Sequence, residues 1–187
     1  RMSRAEYQRG IMDAISDASV ETVVVMSSAQ TGKTETQLCC VGYHIDQDPA
    51  PIMVVMPTER DAETWSKDRF SPMARDTPCL QDKFADPRSR NGNNKILHKR
   101  FPGGHLTIVG ANAPSGLASR PIRLLLCDEV DRYPFSAGAE GAFAPTMVRC
   151  PPGNRLCRIL LLPSRERGSA ILPCRQGVSR AIGEKRS

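Results

Sequence analysis

Two short segments of this chain carry residue types suited to phosphate chemistry. The first, Ser27-Ser28-Ala29-Gln30-Thr31-Gly32-Lys33-Thr34, matches the phosphate-loop pattern G-x-x-x-x-G-K-[ST], except that Ser27 stands at the first glycine. A loop of this kind aims successive backbone N–H groups at an anion, and the dipole of the following helix adds positive charge at the same point. Gly32 lets the backbone approach phosphate, Lys33 can reach the β and γ oxygens, and the Thr34 hydroxyl can bind Mg²⁺. The second segment is Leu124-Leu125-Leu126-Cys127-Asp128-Glu129, an apolar run ending in two acids. At the exit of a buried strand Asp128 can hold the same Mg²⁺, while Glu129 can orient and deprotonate an attacking water. Lys33 and Glu129 are thus the candidate catalytic residues, and Thr34 and Asp128 the candidate metal ligands. An apolar run ending in Asp-Glu is by itself common. With a phosphate loop roughly a hundred residues upstream, each segment strengthens the other, and the glutamate favours hydrolysis over transfer between nucleotides.

These residues work together only if strands and helices deliver them to one place. Thr22 to Met26 is β-branched and apolar without alternation, which predicts a strand buried on both faces, and a helix is expected from about Lys33 to Tyr43. Before it, Ser3 and Glu6 have the form of a capping box, with Tyr7, Ile11, Met12 and Ile15 at helical spacing. Pro51 to Met56 reads as a second strand. Thr58 then caps a helix expected to line one face with Ala62, Trp65, Arg69, Phe70 and Met73. Residues 76–94 read as a surface excursion, and Ile96–His98 and His105–Val109 as a hairpin across Phe101-Pro102-Gly103-Gly104. Ile122 to Cys127 is a third buried strand. Alternating strands and helices imply an α/β fold of the P-loop NTPase type, a mostly parallel sheet with helices on both faces, incomplete at the C-terminus. The pattern leaves strand order open, so the test of the reading is whether residues 31–34 and 128–129 meet across neighbouring strand ends.

Size and composition fit one soluble domain. The 187 residues suffice for a hydrophobic core, and no apolar run approaches the roughly 20 residues that cross a bilayer. The net charge of +6 is lopsided: residues 142–187 hold nine Lys and Arg against two acids, leaving the first 141 nearly neutral. Seven cysteines without a Cys-x-x-Cys pair point to a reducing compartment rather than a disulfide framework or a zinc site.

Beyond the two segments, a dense set of residues resembles the ATPase domain of tailed-phage terminase large subunits, in the branch that includes phage lambda. It runs through Tyr7-Gln8-Arg9, Val23 to Glu35, Gly42-Tyr43-His44, Asp48-Pro49-Ala50-Pro51, Phe101-Pro102-Gly103-Gly104 and Gly110-Ala111-Asn112-Ala113-Pro114. It ends with Leu117-Ala118-Ser119-Arg120-Pro121 and Asp128-Glu129-Val130-Asp131-Arg132-Tyr133-Pro134, covering residues 5 to about 141. The resemblance implies an ATP- and Mg²⁺-dependent motor that drives double-stranded viral DNA into a procapsid in the bacterial cytoplasm. It implies as partners a terminase small subunit, a portal and further copies of the chain, with no membrane, and a separate nuclease domain. It also implies that Tyr7 and Gln8 lie near the adenine, beside a nucleotide cradle of Ser28, Ala29, Gln30, Thr31, Gly32, Lys33 and Thr34. Other branches carry an arginine where Ala29 stands here, for which Arg60 or Arg120 are possible substitutes.

After residue 141 the pattern changes. Ile159 to Leu162 resembles a strand, but the surroundings are rich in Arg, Pro, Cys and Gly and hold no carboxylate cluster for nuclease metals. Residues 142–187 are therefore expected to be a basic, irregular, non-family tail, a frameshifted read-through or a prophage remnant. The strand beyond the acidic pair is expected to be missing, with weak ATP binding and little hydrolysis. Two rival readings remain, a helicase-like DNA translocase and a non-catalytic remnant or DNA-binding module.

Overall fold

In the computed structural model of the chain, the described residues are 6–17, 19–28, 30–84, 94–112 and 122–134, together with the backbone of 157–163. Six strands form one sheet in the order β1-β6-β5-β2-β4-β3. They are β1 (Thr22–Ser27), β2 (Ile52–Met56), β3 (His98–Phe101), β4 (Gly104–Gly110), β5 (Leu124–Cys127) and β6 (Cys157–Pro163). All neighbours run parallel except β3, which pairs antiparallel with β4 at one edge. The expected α/β fold with a mostly parallel sheet is therefore present.

The helices are α1 (Arg9–Ser16), α2 (Lys33–Asp46), α3 (Glu59–Thr64), α4 (Ser71–Asp76) and α5 (Pro78–Gln81). Their buried residues, including Ile15, Leu38, Val41, Ile45, Ala62, Ala74 and Leu80, pack with Ile52, Val54, Leu124 and Leu126 of the sheet. The alternate strand residues Met53, Val55, Leu125 and Cys127 pack on the other face with Ala111, Ile122 and Tyr133. Strands β2 and β5 thus have apolar side chains on both faces, as parallel strands in the middle of a sheet require. Among the described residues, however, the core-forming helices lie against one face only.

Strand β1 departs from the expectation of two buried faces. It lies at the edge of the sheet, and its burial alternates: Val23 and Val25 turn toward the core, while Val24 and Met26 are 55% and 61% exposed. An apolar run without alternation does not say whether a layer covers its second face.

The helical segment after β2 also differs from a regular pattern. Thr58 caps it as expected, its hydroxyl oxygen accepting from the Asp61 N–H at 3.2 Å, an arrangement that contributes about 1 kcal/mol. Residues Trp65–Phe70 are then π-helical between α3 and α4. The wider i→i+5 turn brings Trp65 and Phe70 into register, with stacked rings 5.9 Å apart, and both are buried. The same turn leaves Arg69 exposed, although a regular helix would have placed it with that face.

The hairpin forms as expected, with its first strand shifted to His98–Phe101 and a tight connection through Pro102 and Gly103. Gly103 has φ +84, which favours glycine, and a Cβ on Gly104 would lie 2.5 Å from the Ala50 carbonyl oxygen. In the expected excursion, α5 buries Leu80; residues 85–93 lie outside the described set, as do Ser3 of the expected capping box and residues 113–121.

The larger correction concerns the tail. Cys157–Pro163, from the segment expected to be irregular, is a strand, and it lies between β1 and β5. The sheet therefore possesses the strand beyond the acidic pair that the composition had suggested was missing. The Arg, Pro and Gly around it mask a short apolar run whose place in the sheet is set by long-range pairing.

Candidate functional site

Strands β1 and β5 leave the sheet at the same edge, as parallel strands must, and that edge is where open α/β sheets bind ligands. Their ends had been expected to be neighbours, and they are not, because β6 runs between them. Val24 is level with Leu160, which is level with Cys127. The loop after Ser27 and the acids after Cys127 thus emerge two strand spacings apart, about 10 Å. That gap suits phosphates and a small cation lying between them.

The loop is shaped by two residues in the left-handed region, Gln30 at φ +59 and Gly32 at φ +80. The left-handed backbone favours glycine at position 32, and a Cβ there would displace the Gln8 side-chain amide, 2.4 Å away. Ser27, the residue at the missing first glycine, is not among the positive-φ residues and needs no glycine backbone. Its hydroxyl instead bonds that of Thr31 at 2.9 Å, and the Thr31 hydroxyl can donate to the Ser28 carbonyl at 3.0 Å. Lys33 opens α2 and arches back, Nζ donating to the Ser27 and Ser28 carbonyls at 3.1 and 3.0 Å. Thr34 is half-buried in the first turn of α2, and Ala29 lies outside the described residues.

Tyr7 and Gln8 are brought to this loop from the other side. The Tyr7 hydroxyl donates to the Thr31 carbonyl at 2.8 Å, and Gln8 Nε2 to the carbonyls of Thr31 and Gly32 at 3.4 and 3.3 Å. Tyr7 is 63% exposed, so its ring is not part of the core. Between them and the loop lies a cavity of about 230 Å³, lined also by Ile11, Val25 and Thr36. Of these three, Ile11 was legible from its helical spacing to Tyr7; nothing local marked Val25 or Thr36.

On the far side of the gap, Asp128 is 9% exposed, its N–H bonded to the Val55 carbonyl at 3.0 Å. Burial, reinforced by the neighbouring Glu129 charge, pushes its carboxyl up to about 6, against the opposing pull of the Glu129 N–H and the Lys33 charge. Glu129 has φ 47 and ψ 50 and starts a 3₁₀ turn through Arg132, whose guanidinium pairs with the Glu129 carboxylate. Tyr133 anchors this turn to β2, its buried hydroxyl donating to the Val55 carbonyl at 2.8 Å. Burial raises the Tyr133 hydroxyl well above its ordinary range, so it stays a neutral donor. Arg132 and Tyr133 were named from the sequence only within the resembling segment, without a role, although the three-residue spacing from Glu129 to Arg132 was a readable signal.

No cluster of three or more His, Cys, Asp or Glu suited to a metal occurs among the described residues. Mg²⁺ needs none, since it keeps most of its water and commonly uses one or two protein oxygens with substrate phosphates. A buried carboxylate at a sheet edge, opposite a threonine at a helix N-terminus, fits that donor set. Arg60 is exposed in the first turn of α3, and Arg120 lies outside the described residues.

The chain is similar to several phage proteins. The terminase large subunit of Escherichia phage lambda is 25% identical over 170 residues, 90% of this chain, and that of Enterobacteria phage P21 is 24% identical over the same length. The chain spans about a quarter of the length of these relatives, 26% in each. The large terminase ATPase domain of Thermus phage P74-26 shares the fold, with a TM-score of 0.52 at 18% identity over 78% of this chain and 60% of that one. Residues 1–147, more than three-quarters of the chain, match the family of the phage terminase large subunit gpA, ATPase domain, and the chain belongs to that family.

Proposed function

We propose that this chain forms the nucleotide site of a DNA-packaging motor, binding ATP with Mg²⁺ and hydrolysing it to drive double-stranded viral DNA into a procapsid. The observation that carries the reading is that the loop at 27–34 and the acids at 128–129 emerge at the same end of the sheet, two strand spacings apart. The backbone of residues 28–32 cradles the phosphates, with Lys33 neutralising the β and γ oxygens, and Tyr7 and Gln8 hold the base side of the cavity. Thr34 and Asp128 hold Mg²⁺, which when bound offsets phosphate charge. Glu129 orients a water and accepts its proton as the water oxygen attacks the γ phosphorus. The bond to the β–γ bridging oxygen breaks, and ADP leaves with the electron pair. As in the packaging machinery to which the relatives belong, the small subunit, the portal and further copies of the chain are the proposed partners. Nuclease chemistry is assigned to no residue of this chain.

The test is titration of the purified chain with ATP, with and without Mg²⁺, followed by single-turnover hydrolysis. Glu129→Gln keeps ATP affinity and loses turnover by about 100-fold or more, the scale of a general base. Lys33→Ala loses affinity itself. Equal turnover in wild type and Glu129→Gln would remove Glu129 from the chemistry, and salt-sensitive DNA binding without any ATP binding would favour a DNA-binding module instead.

A further inference from the structure

Arg132 is exposed, and the charges of Glu129, Asp61 and Asp131 all act on it. It is hydrogen-bonded to one of them. Its Nη1 donates to Glu129 Oε2, whereas Asp61 Oδ2 accepts from the Thr58 hydroxyl at 2.8 Å within the cap of α3. The local backbone accounts for this choice. The Arg132 N–H closes the turn on the Glu129 carbonyl at 2.9 Å, which keeps the Arg132 side chain within reach of the Glu129 carboxylate. One residue thus restrains both the backbone of Glu129, held at a positive φ that non-glycine residues rarely adopt, and its carboxylate. Glu129 Oε1 accepts no hydrogen bond among the described residues. It is the oxygen left to face a water.

We infer that Arg132 is a positioning residue for hydrolysis: by holding Oε2 of Glu129 it fixes the carboxylate so that Oε1 takes the proton of the attacking water. The inference rests on the ATPase reading above. Arg132 touches neither nucleotide nor water in this scheme and acts through Glu129.

The full chain is assayed as wild type, Arg132→Ala, Arg132→Gln and Arg132→Lys, with Arg69→Ala as a control at an exposed arginine remote from the pair. ATP affinity is read with a fluorescent ATP analogue, and turnover in a single-turnover assay with Mg²⁺. A misoriented base lowers kcat by about tenfold or more in Arg132→Ala and Arg132→Gln while Kd stays within about twofold, the signature of an interaction needed only in the transition state. Arg132→Lys recovers part of the loss, because an ammonium supplies the charge but not the planar fork. Arg69→Ala matches wild type. A kcat within about twofold of wild type in both neutral variants overturns the inference while leaving the ATPase reading intact. Loss of ATP affinity in step with turnover also overturns it, since Arg132 would then be holding the fold of the site. A wild-type chain that binds ATP but shows no turnover overturns both readings.

Discussion

Replacing Asp128 by Asn should make the metal-free chain more stable while abolishing its response to Mg²⁺. The Asp128 carboxyl is raised from its ordinary 3.8 to about 6, with burial the larger cause and Glu129 the second. At 1.36 kcal/mol per pKa unit, keeping it ionised in the folded chain costs about 3 kcal/mol. Because the folded value lies above the unfolded one, this penalty is absent below pH 3.8, grows between 3.8 and about 6, and is complete above that. Asn removes the charge but leaves an amide to satisfy, so a net gain of about 1 to 3 kcal/mol at pH 7.5 is expected. For a chain of this size that raises Tm by about 3 to 10 °C. Urea midpoints of both proteins from pH 4.5 to 7.5 should diverge as pH rises, with groups common to both cancelling in the difference. Saturating ATP and Mg²⁺ should then stabilise wild type by about 3 kcal/mol at a hundredfold excess over Kd, and the variant much less. Parallel pH curves, or a variant less stable than wild type at pH 7.5, would refute the argument that burial of this charge is costly.

Two further outcomes follow from the geometry. Gly32→Ala places a side chain at φ +80, a conformation that costs it about 1–2 kcal/mol, and displaces the Gln8 amide 2.4 Å away, so ATP affinity in a binding titration should drop about tenfold; unchanged affinity would mean the loop is not held in this shape. Burial holds the His44 imidazole below its ordinary value, against the pull of Asp48 and with the charge of Arg123 assisting. The unfolded chain therefore takes up this proton first, and stability is lost as pH falls through 6.5; His44→Gln should flatten that part of the curve, and an unaltered slope would exclude His44 as its source.

The chemistry of the site was more legible than its assembly. Gly32-Lys33-Thr34 and Asp128-Glu129 stand out as candidates because phosphate binding admits few residue types, and the apolar runs behind them read as strands. Ser27 looked like a defect against the glycine pattern. Its role as a partner of Thr31 depends on a backbone that never takes positive φ there, which no one-letter pattern encodes. The outward turn of Arg69 follows from a π-helical insertion that shifts the phase of a helix without altering its composition. Strand order was invisible for a plainer reason: parallel strands carry similar apolar runs, so Ile159 to Leu162 could be read as a strand but not assigned a neighbour. Its location between β1 and β5 turns a segment that resembled a random basic tail into a central part of the sheet.

That location also bears on how the protein reaches its native state. The only pairing of β1 among the described strands is with β6, joining Thr22 to Arg158 across 136 positions of chain. Contacts so distant in sequence are slow to form, because the entropy of closing a long loop is lost before any pairing repays it. During synthesis β1 therefore waits, its backbone without a strand partner among those described, until Cys157–Pro163 has left the ribosome. The strand that leads into the candidate phosphate loop is made more than 130 residues before its supporting neighbour, so chaperone dependence should concentrate on this one strand.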